Sequence, residues 1–225
     1  MQITNKLAGE TARDYAFRML KENIISLELK PGSSISENEL ARELGISRTP
    51  VREAIIDLNK ALIVEIYPQR GSYIALIDGD LVEESRFMRK VLDTAVIELA
   101  CSMATKEDIA LLEDNVKLQE YYLQNVAADK ILELDNEFHK MIFSMTKKER
   151  IYAMKSTLMI HYDRVRTLSM VAVKDMKIVN DHRMMLEAIR HHDPVQASQL
   201  VEKHLNRYQI DEAEIRKKYP EYFKN

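Results

Sequence analysis

Apolar residues recur every three to four positions through most of the chain, the period of helices with one buried face. From residue 80 onward that period divides into six segments, roughly 80–104, 106–127, 129–145, 149–170, 174–192 and 194–217. Asp193-Pro194 supplies a cap followed by proline at the first helical position, and Thr105 caps the second segment. Helices of this length with short connections predict an antiparallel bundle. The first 76 residues read differently. Residues 11–30 form one helical stretch, stopped by Pro31-Gly32. Ser36-Glu37-Asn38-Glu39 fits a capping box that opens a helix over 37–44, and Gly45 ends it. A third helix begins near Ser47 to Pro50 and buries Val51, Ala54, Ile55, Leu58 and Leu62. Two extended runs, 63–67 and 72–76, flank the hairpin turn Pro68-Gln69-Arg70-Gly71. Helix, helix, turn, helix, hairpin is a winged helix-turn-helix. The expected fold is mainly α: a winged helix-turn-helix over 1–76, then an all-helical antiparallel bundle over 80–225, with the seam at Ile77-Asp78-Gly79-Asp80.

Composition sharpens this division. All five glycines lie in the first 79 residues, and the only later prolines are Pro194 and Pro220. Glycine and proline punctuate turns, so their scarcity favours long helices. With 225 residues, 46% hydrophobic and 31% charged, the chain is neither disordered nor fibrous. A single cysteine, Cys101, cannot form an intrachain disulfide. No run approaches the roughly 20 apolar residues of a membrane-spanning helix. Met1 to Glu10 lacks an apolar core of signal-peptide length, so no membrane association and a cytoplasmic setting are expected. A net charge of −3 excludes a strongly basic protein that coats nucleic acid, but not local readout of DNA.

Local readout is what the third helix offers. Arg48 and Arg52 stand four residues apart beside the buried stripe. Their forked guanidiniums match guanine O6 and N7, or two phosphate oxygens. Ser47 and Thr49 place hydroxyls and amides at the positive end of a helix, where a phosphate binds. Arg70 at the wing tip suits a phosphate or the minor groove. The competing view is of solvated surface charge, since ten basic and ten acidic residues balance over residues 1–76.

In the second domain, polar groups occupy stripe positions. Asp135 and His139 lie among Ile131, Leu132, Phe138 and Ile142. His182 sits amid Ile178, Val179, Met185, Leu186 and Ile189. His204 is flanked by Ala197, Leu200 and Val201; His161 by Met154, Leu158 and Val165; Arg89 by Val82, Leu92 and Val96. An unpaired buried charge costs several kcal/mol, so these groups are expected to compensate one another around a shared cavity. One divalent ion would hold three imidazoles and a carboxylate together, and Asp135 and His139, at i and i+4, can both reach it. For each histidine the alternative is a core imidazole satisfied by ordinary hydrogen bonds. His191 and His192 precede Asp193-Pro194 at a helix end and suit its negative terminus instead.

These residues carry a resemblance. Pro31-Gly32, Ser36-Glu37, Glu39-Leu40-Ala41 and the run Leu44-Gly45-Ile46-Ser47-Arg48-Thr49-Pro50-Val51-Arg52-Glu53-Ala54-Ile55 resemble the GntR family of bacterial transcription regulators. The wing Pro68-Gln69-Arg70-Gly71-Ser72-Tyr73 matches as well. The resemblance implies operator contacts at Ser47, Arg48, Thr49, Arg52 and Gly71, and at Asn38. One departure is Ala61-Leu62-Ile63, where the family has glycine at the first position. Residues 80–217 resemble the FCD type of ligand-binding domain, whose metal-binding members carry an Asp-x-x-x-His pair and two later histidines. Asp135, His139, His182 and His204 match in order and spacing. The resemblance also implies that Arg89 grips a carboxylate ligand, with Asp93 where the family has a glutamate. His161 has no counterpart and is a candidate for touching the ligand.

The expected function is a DNA-binding transcriptional regulator, not an enzyme. Its operator binding would respond to a small carboxylate or hydroxy acid at a divalent metal, zinc first, with nickel, manganese or iron as alternatives. One short recognition helix reads few bases, so a homodimer on palindromic double-stranded DNA is expected. A purely structural metal and a metal-dependent enzyme are the competing functions.

Overall fold

The computed structural model describes residues 1–124, 128–172 and 177–224. Helices α1 (Ala12–Ile25), α2 (Glu37–Leu44) and α3 (Arg48–Lys60) precede a hairpin of β2 (Val64–Tyr67) and β3 (Gly71–Ile74). Strand β1 (Ser34–Ile35) pairs antiparallel with β3, giving the sheet order β1-β3-β2. A two-residue strand is too short to show an alternation, and the sequence did not reveal it. Gly45 ends α2 at φ 66°, the left-handed exit open to glycine. At the end of α3 the left-handed turn falls on Leu62, φ 59°, one residue after Ala61.

Helix α1 stops at Ile25, well short of the expected residue 30. Leu27 turns left-handed, φ 64°, and the Leu29 N–H returns to the Asn23 carbonyl. Leu27 then packs on the core of the C-terminal bundle, so tertiary contact ends this helix before Pro31 does.

That bundle comprises α4 (Gly79–Met103), α5 (Lys106–Gln124), α6 (Ala128–Met145), α7 (Glu149–Leu158), α8 (Ile160–Ala172), α9 (Lys177–Arg190), α10 (Pro194–Leu205) and α11 (Arg207–Lys218). The expected end at 127 and start at 174 lie outside the described residues. Two expected helices are each broken in two. The first breaks at Met159, where Ser85 Oγ of α4 lies 2.8 Å from the Leu158 carbonyl oxygen. The second breaks at Asn206, whose Oδ1 accepts from Arg86 of α4 at 2.6 Å. Neither break has a glycine or proline to announce it; both are set by side chains of α4.

Buried apolar residues form two clusters. One draws on residues between Tyr15 and Ile74, the other on residues between Ile77 and Phe223. Ile160, the first residue of α8, joins the N-terminal cluster. Helix α8 also packs on α1, α4 and α11, so it lies between the two cores. After the wing, Ile77 pairs with Phe223, and Asp78 caps α4 by accepting from the Asp80 N–H.

Candidate metal centre and nucleic-acid interface

Four side chains from three helices converge on one buried point. Asp135 and His139 come from α6, His182 from α9 and His204 from α10. Each offers one donor atom, and these atoms lie within 4.8 Å of one another. All four residues are buried, Asp135 at 1% and His182 at 0% exposure. Asp135 Oδ1 faces His182 Nε2 at 3.5 Å and His204 Nε2 at 3.8 Å. Its Oδ2 accepts from Arg166 of α8 and lies 3.8 Å from Arg89 Nη2. One oxygen thus faces the imidazoles and the other faces guanidinium.

Each imidazole has a polar side chain facing its Nδ1, within hydrogen-bond distance for His139 and His182 and beyond it for His204. His139 Nδ1 lies 3.3 Å from Asp93 Oδ2, His182 Nδ1 lies 2.7 Å from Gln119 Oε1, and His204 Nδ1 lies 3.8 Å from Asp181 Oδ2. Asp181 is held by Arg207 and Lys203. Nε2 of His139 and Nε2 of His182 are buried with no hydrogen-bond partner among the described residues. Two orphaned lone pairs beside a carboxylate are costly as they stand and fit a divalent cation.

The electrostatics agree with that donor set. Burial pushes His139 down to about 4, and Arg89 adds to the shift. Burial also holds His182 well below the ordinary histidine value. Neutral imidazoles keep the lone pair a metal needs. Burial alone would raise Asp135, yet Arg166, the facing imidazoles and Arg89 hold it below the usual carboxylate range. Asp93 is likewise lowered, against burial, by Lys155, His139 and Arg89.

His139 and Arg89 open onto a cavity of about 850 Å³, which Lys155 of α7 and Arg166 also line. Arg89 donates from Nε to Asp93 at 3.1 Å, while its buried Nη1 has no partner among the described residues. Lys155 pairs with Asp93 and stands over the Phe143 ring at 4.1 Å. Asp93 therefore touches Arg89, Lys155 and His139 at once. His161 stands apart from this cavity, its Nε2 2.8 Å from the Ala61 carbonyl oxygen.

Lys155, Arg166, Gln119 and Asp181 were missed by the sequence reading. The signal for two of them was a second stripe, Tyr152-Lys155-Met159-Tyr162-Arg166, at spacings of three and four. Gln119 was legible as a polar residue at a stripe position beside Leu112, Asn115 and Val116, all buried.

The DNA candidates are all exposed on the first domain. Ser47 caps α3 without using its hydroxyl on the helix, leaving Oγ available. Arg48 Nη2 and Arg52 Nε each lie 3.4 Å from Glu37 of α2, with side chains 63% and 68% exposed. Asn38 and Thr49 are exposed nearby in the sequence. Arg70 and Gly71 form the wing tip, where Gln69 and Gly71 both adopt positive φ and Tyr67 packs edge-on against Tyr73.

Comparison with known proteins agrees with this architecture. Residues 13–74 match the family described as bacterial regulatory proteins, gntR family, and residues 84–207 match the FCD domain. The HTH-type transcriptional repressor RspR of Escherichia coli is 28% identical over 208 residues, 92% of this chain and 91% of that protein. An HTH-type transcriptional regulator in an unstable DNA locus of Streptomyces ambofaciens is 28% identical over 216 residues, 96% of this chain and 91% of that protein. The structure of McbR/YncC from E. coli superposes with a TM-score of 0.79 at 19% identity, covering 93% of this chain and 99% of that one. Both of these sequence relatives are named as HTH-type transcriptional regulators. Among the described residues no helix is long and apolar enough to cross a membrane.

Proposed function

Because the chain belongs to the GntR family of bacterial regulatory proteins and carries an FCD domain, we propose that a metal-bound carboxylate governs its DNA binding. The observation that carries this is the pair of orphaned Nε2 atoms on His139 and His182, set beside Asp135 and His204, with His139 itself lining the cavity that Arg89, Lys155 and Arg166 also line. Three imidazoles and a carboxylate suit zinc first, and nickel, manganese or iron accept the same donors. A metal there supplies a Lewis-acidic point to which a carboxylate or hydroxy acid binds.

The chain's own groups do the rest. Arg89 offers its unpaired Nη1 to a ligand oxygen, and Asp93 orients both Arg89 and His139. Lys155 and Arg166 make the cavity attractive to anions. In the DNA-reading half, Ser47, Arg48, Thr49 and Arg52, with Asn38 beside them, read the major groove. Arg70 and Gly71 bring the wing to the backbone or minor groove. Two copies form a homodimer that reads a palindromic operator, with boundaries near residues 76 and 80 dividing reader from sensor. A ligand regulates only by favouring one arrangement of the two reading heads over another.

The test is elemental analysis of the purified protein, then thermal shift with organic acids, with and without a chelator, alongside operator footprinting. The expected result is one tightly held metal per chain, stabilisation by an acid only when metal is present, and a two-fold symmetric footprint. A second reading, a structural metal alone, is favoured by the engagement of Arg89 and Arg166 with Asp93 and Asp135. It gives stabilisation by metal and none by any acid.

A further inference from the structure

The cavity beside the metal candidates is not built by the bundle alone. Gln2, Thr4, Lys21 and Ser26, with Glu22 and Glu28, all from the DNA-reading domain, line it together with Arg89, Lys155 and Arg166. This wall is fixed in place. Gln2 and Asn23 exchange two hydrogen bonds of 2.7 and 2.8 Å, and the Tyr15 hydroxyl donates to the Thr4 carbonyl at 3.1 Å. Helix α1 in turn packs on the recognition helix α3, where Arg13 Nε donates to Asp57 at 3.0 Å.

Lys21 is the cation on this wall. It is half-buried, and desolvation pulls its ammonium below the usual lysine value despite the fields of Asp163 and Glu22. Among the described residues no carboxylate lies within ion-pair distance of it; Asp163, whose field reaches it, pairs with Arg166 at 2.7 Å. A partly desolvated, unpaired ammonium facing a cavity is a site for an anion. The volume, about 850 Å³, is far more than one carboxylate fills and lies in the range of whole small-molecule sites.

We propose that Lys21 is a second anion-binding point, so that the effector is a dianion with one end at the metal and Arg89 and the other held by the DNA-reading domain. This rests on the effector role proposed above for the cavity. The ligand then touches both domains directly. By holding α1, it holds α3, and the coupling between sensing and reading needs no relay through the bundle.

The test compares two acids of equal chain length, 2-hydroxyglutarate and 2-hydroxyvalerate, by calorimetry on the metal-loaded full chain. The first carries the second carboxylate and the other lacks it. The wild type is expected to bind the diacid about tenfold more tightly. Lys21→Gln loses most of that preference while keeping metal content and monoacid affinity, and Lys21→Arg retains it. Addition of the diacid also slows amide exchange within residues 12–25. An equal preference in Lys21→Gln, or none in the wild type, overturns the role of Lys21 and leaves the cavity as an effector site. Failure of both acids to bind overturns the effector reading itself, and this inference with it.

Discussion

Nε2 of His161 lies 2.8 Å from the carbonyl oxygen of Ala61, the residue that closes the recognition helix. One turn along α8, Arg164 donates from Nη1 to the Ala75 carbonyl at 2.7 Å, and its Nη2 lies 3.4 Å from His161 Nδ1. The guanidinium can only donate, so Nδ1 accepts and the imidazole proton sits on Nε2, facing Ala61. Ala61 precedes the wing and Ala75 follows it. A single turn of α8 therefore holds both ends of the wing, with Ile160 buried in the reader's core below.

This contact makes a pH prediction. Burial pushes His161 down to about 4, against the pull of the Ala61 carbonyl. A histidine whose folded value lies below its ordinary one is protonated first in the unfolded chain. Its contribution is whole above about pH 6.5 and is lost as pH falls toward 4, at most about 3 kcal/mol. His161→Gln keeps a donor for Ala61 but does not titrate. Denaturant melts between pH 7 and 4.5 are expected to show a shallower loss in the variant; parallel curves would refute the assignment.

At the recognition helix, Arg48 and Arg52 share one carboxylate, Glu37, at 3.4 Å each. Exposed pairs of this kind contribute at most about 1 kcal/mol, so DNA displaces them readily. Arg52→Ala is expected to cost about 1–3 kcal/mol of operator affinity by losing a forked base or phosphate contact. Glu37→Gln should instead tighten binding a few-fold at low salt. Fluorescence anisotropy with an operator duplex measures both, and equal affinity for all three proteins would rule out this surface as the interface.

How much of this was legible follows from where the forces act. The reader domain announced itself because its signals are local: the Ser36 cap, Gly45 and the stripe Val51, Ala54, Ile55, Leu58 each act within a turn or two. The metal candidates were legible because histidine and aspartate at apolar stripe positions violate the pattern. The breaks at Met159 and Asn206 were invisible because Ser85 and Arg86, more than seventy residues away in sequence, make them. His161 broke the pattern just as the metal candidates do, yet its partner is a backbone carbonyl in the other domain, which no side-chain pattern encodes.

Arg89 carries the ligand prediction. Arg89→Gln keeps an amide near Asp93 but removes the charge and the unpaired Nη1. Asp93 retains Lys155, and Asp135 retains Arg166, so the bundle stays folded. The variant is expected to keep its metal and its operator affinity while the acid-induced thermal shift disappears. A shift of wild-type size would remove Arg89 from the ligand site.

The proton on His182, which faces Asp135 through Nε2, is set from α5. Asn115 Nδ2 donates to the Leu134 carbonyl at 3.1 Å, which leaves Asn115 Oδ1 to accept from Gln119 Nε2 at 2.6 Å. The Gln119 amide is thereby oriented, and its Oε1 faces His182 Nδ1 at 2.7 Å. Nδ1 must then carry the imidazole proton, and the Nε2 lone pair is directed toward Asp135. Outer partners of this kind change metal affinity by about 10–100-fold when removed. Gln119→Leu is expected to weaken metal binding within that range without abolishing it, since His139 keeps its own outer carboxylate, Asp93. His182→Ala removes the donor itself and should lower metal content sharply. Gln119→Glu, which presents a carboxylate to Nδ1, should restore or exceed wild-type affinity. Competition against a metal-binding dye ranks the four proteins, and an unchanged affinity in Gln119→Leu would show that this amide does not set the tautomer.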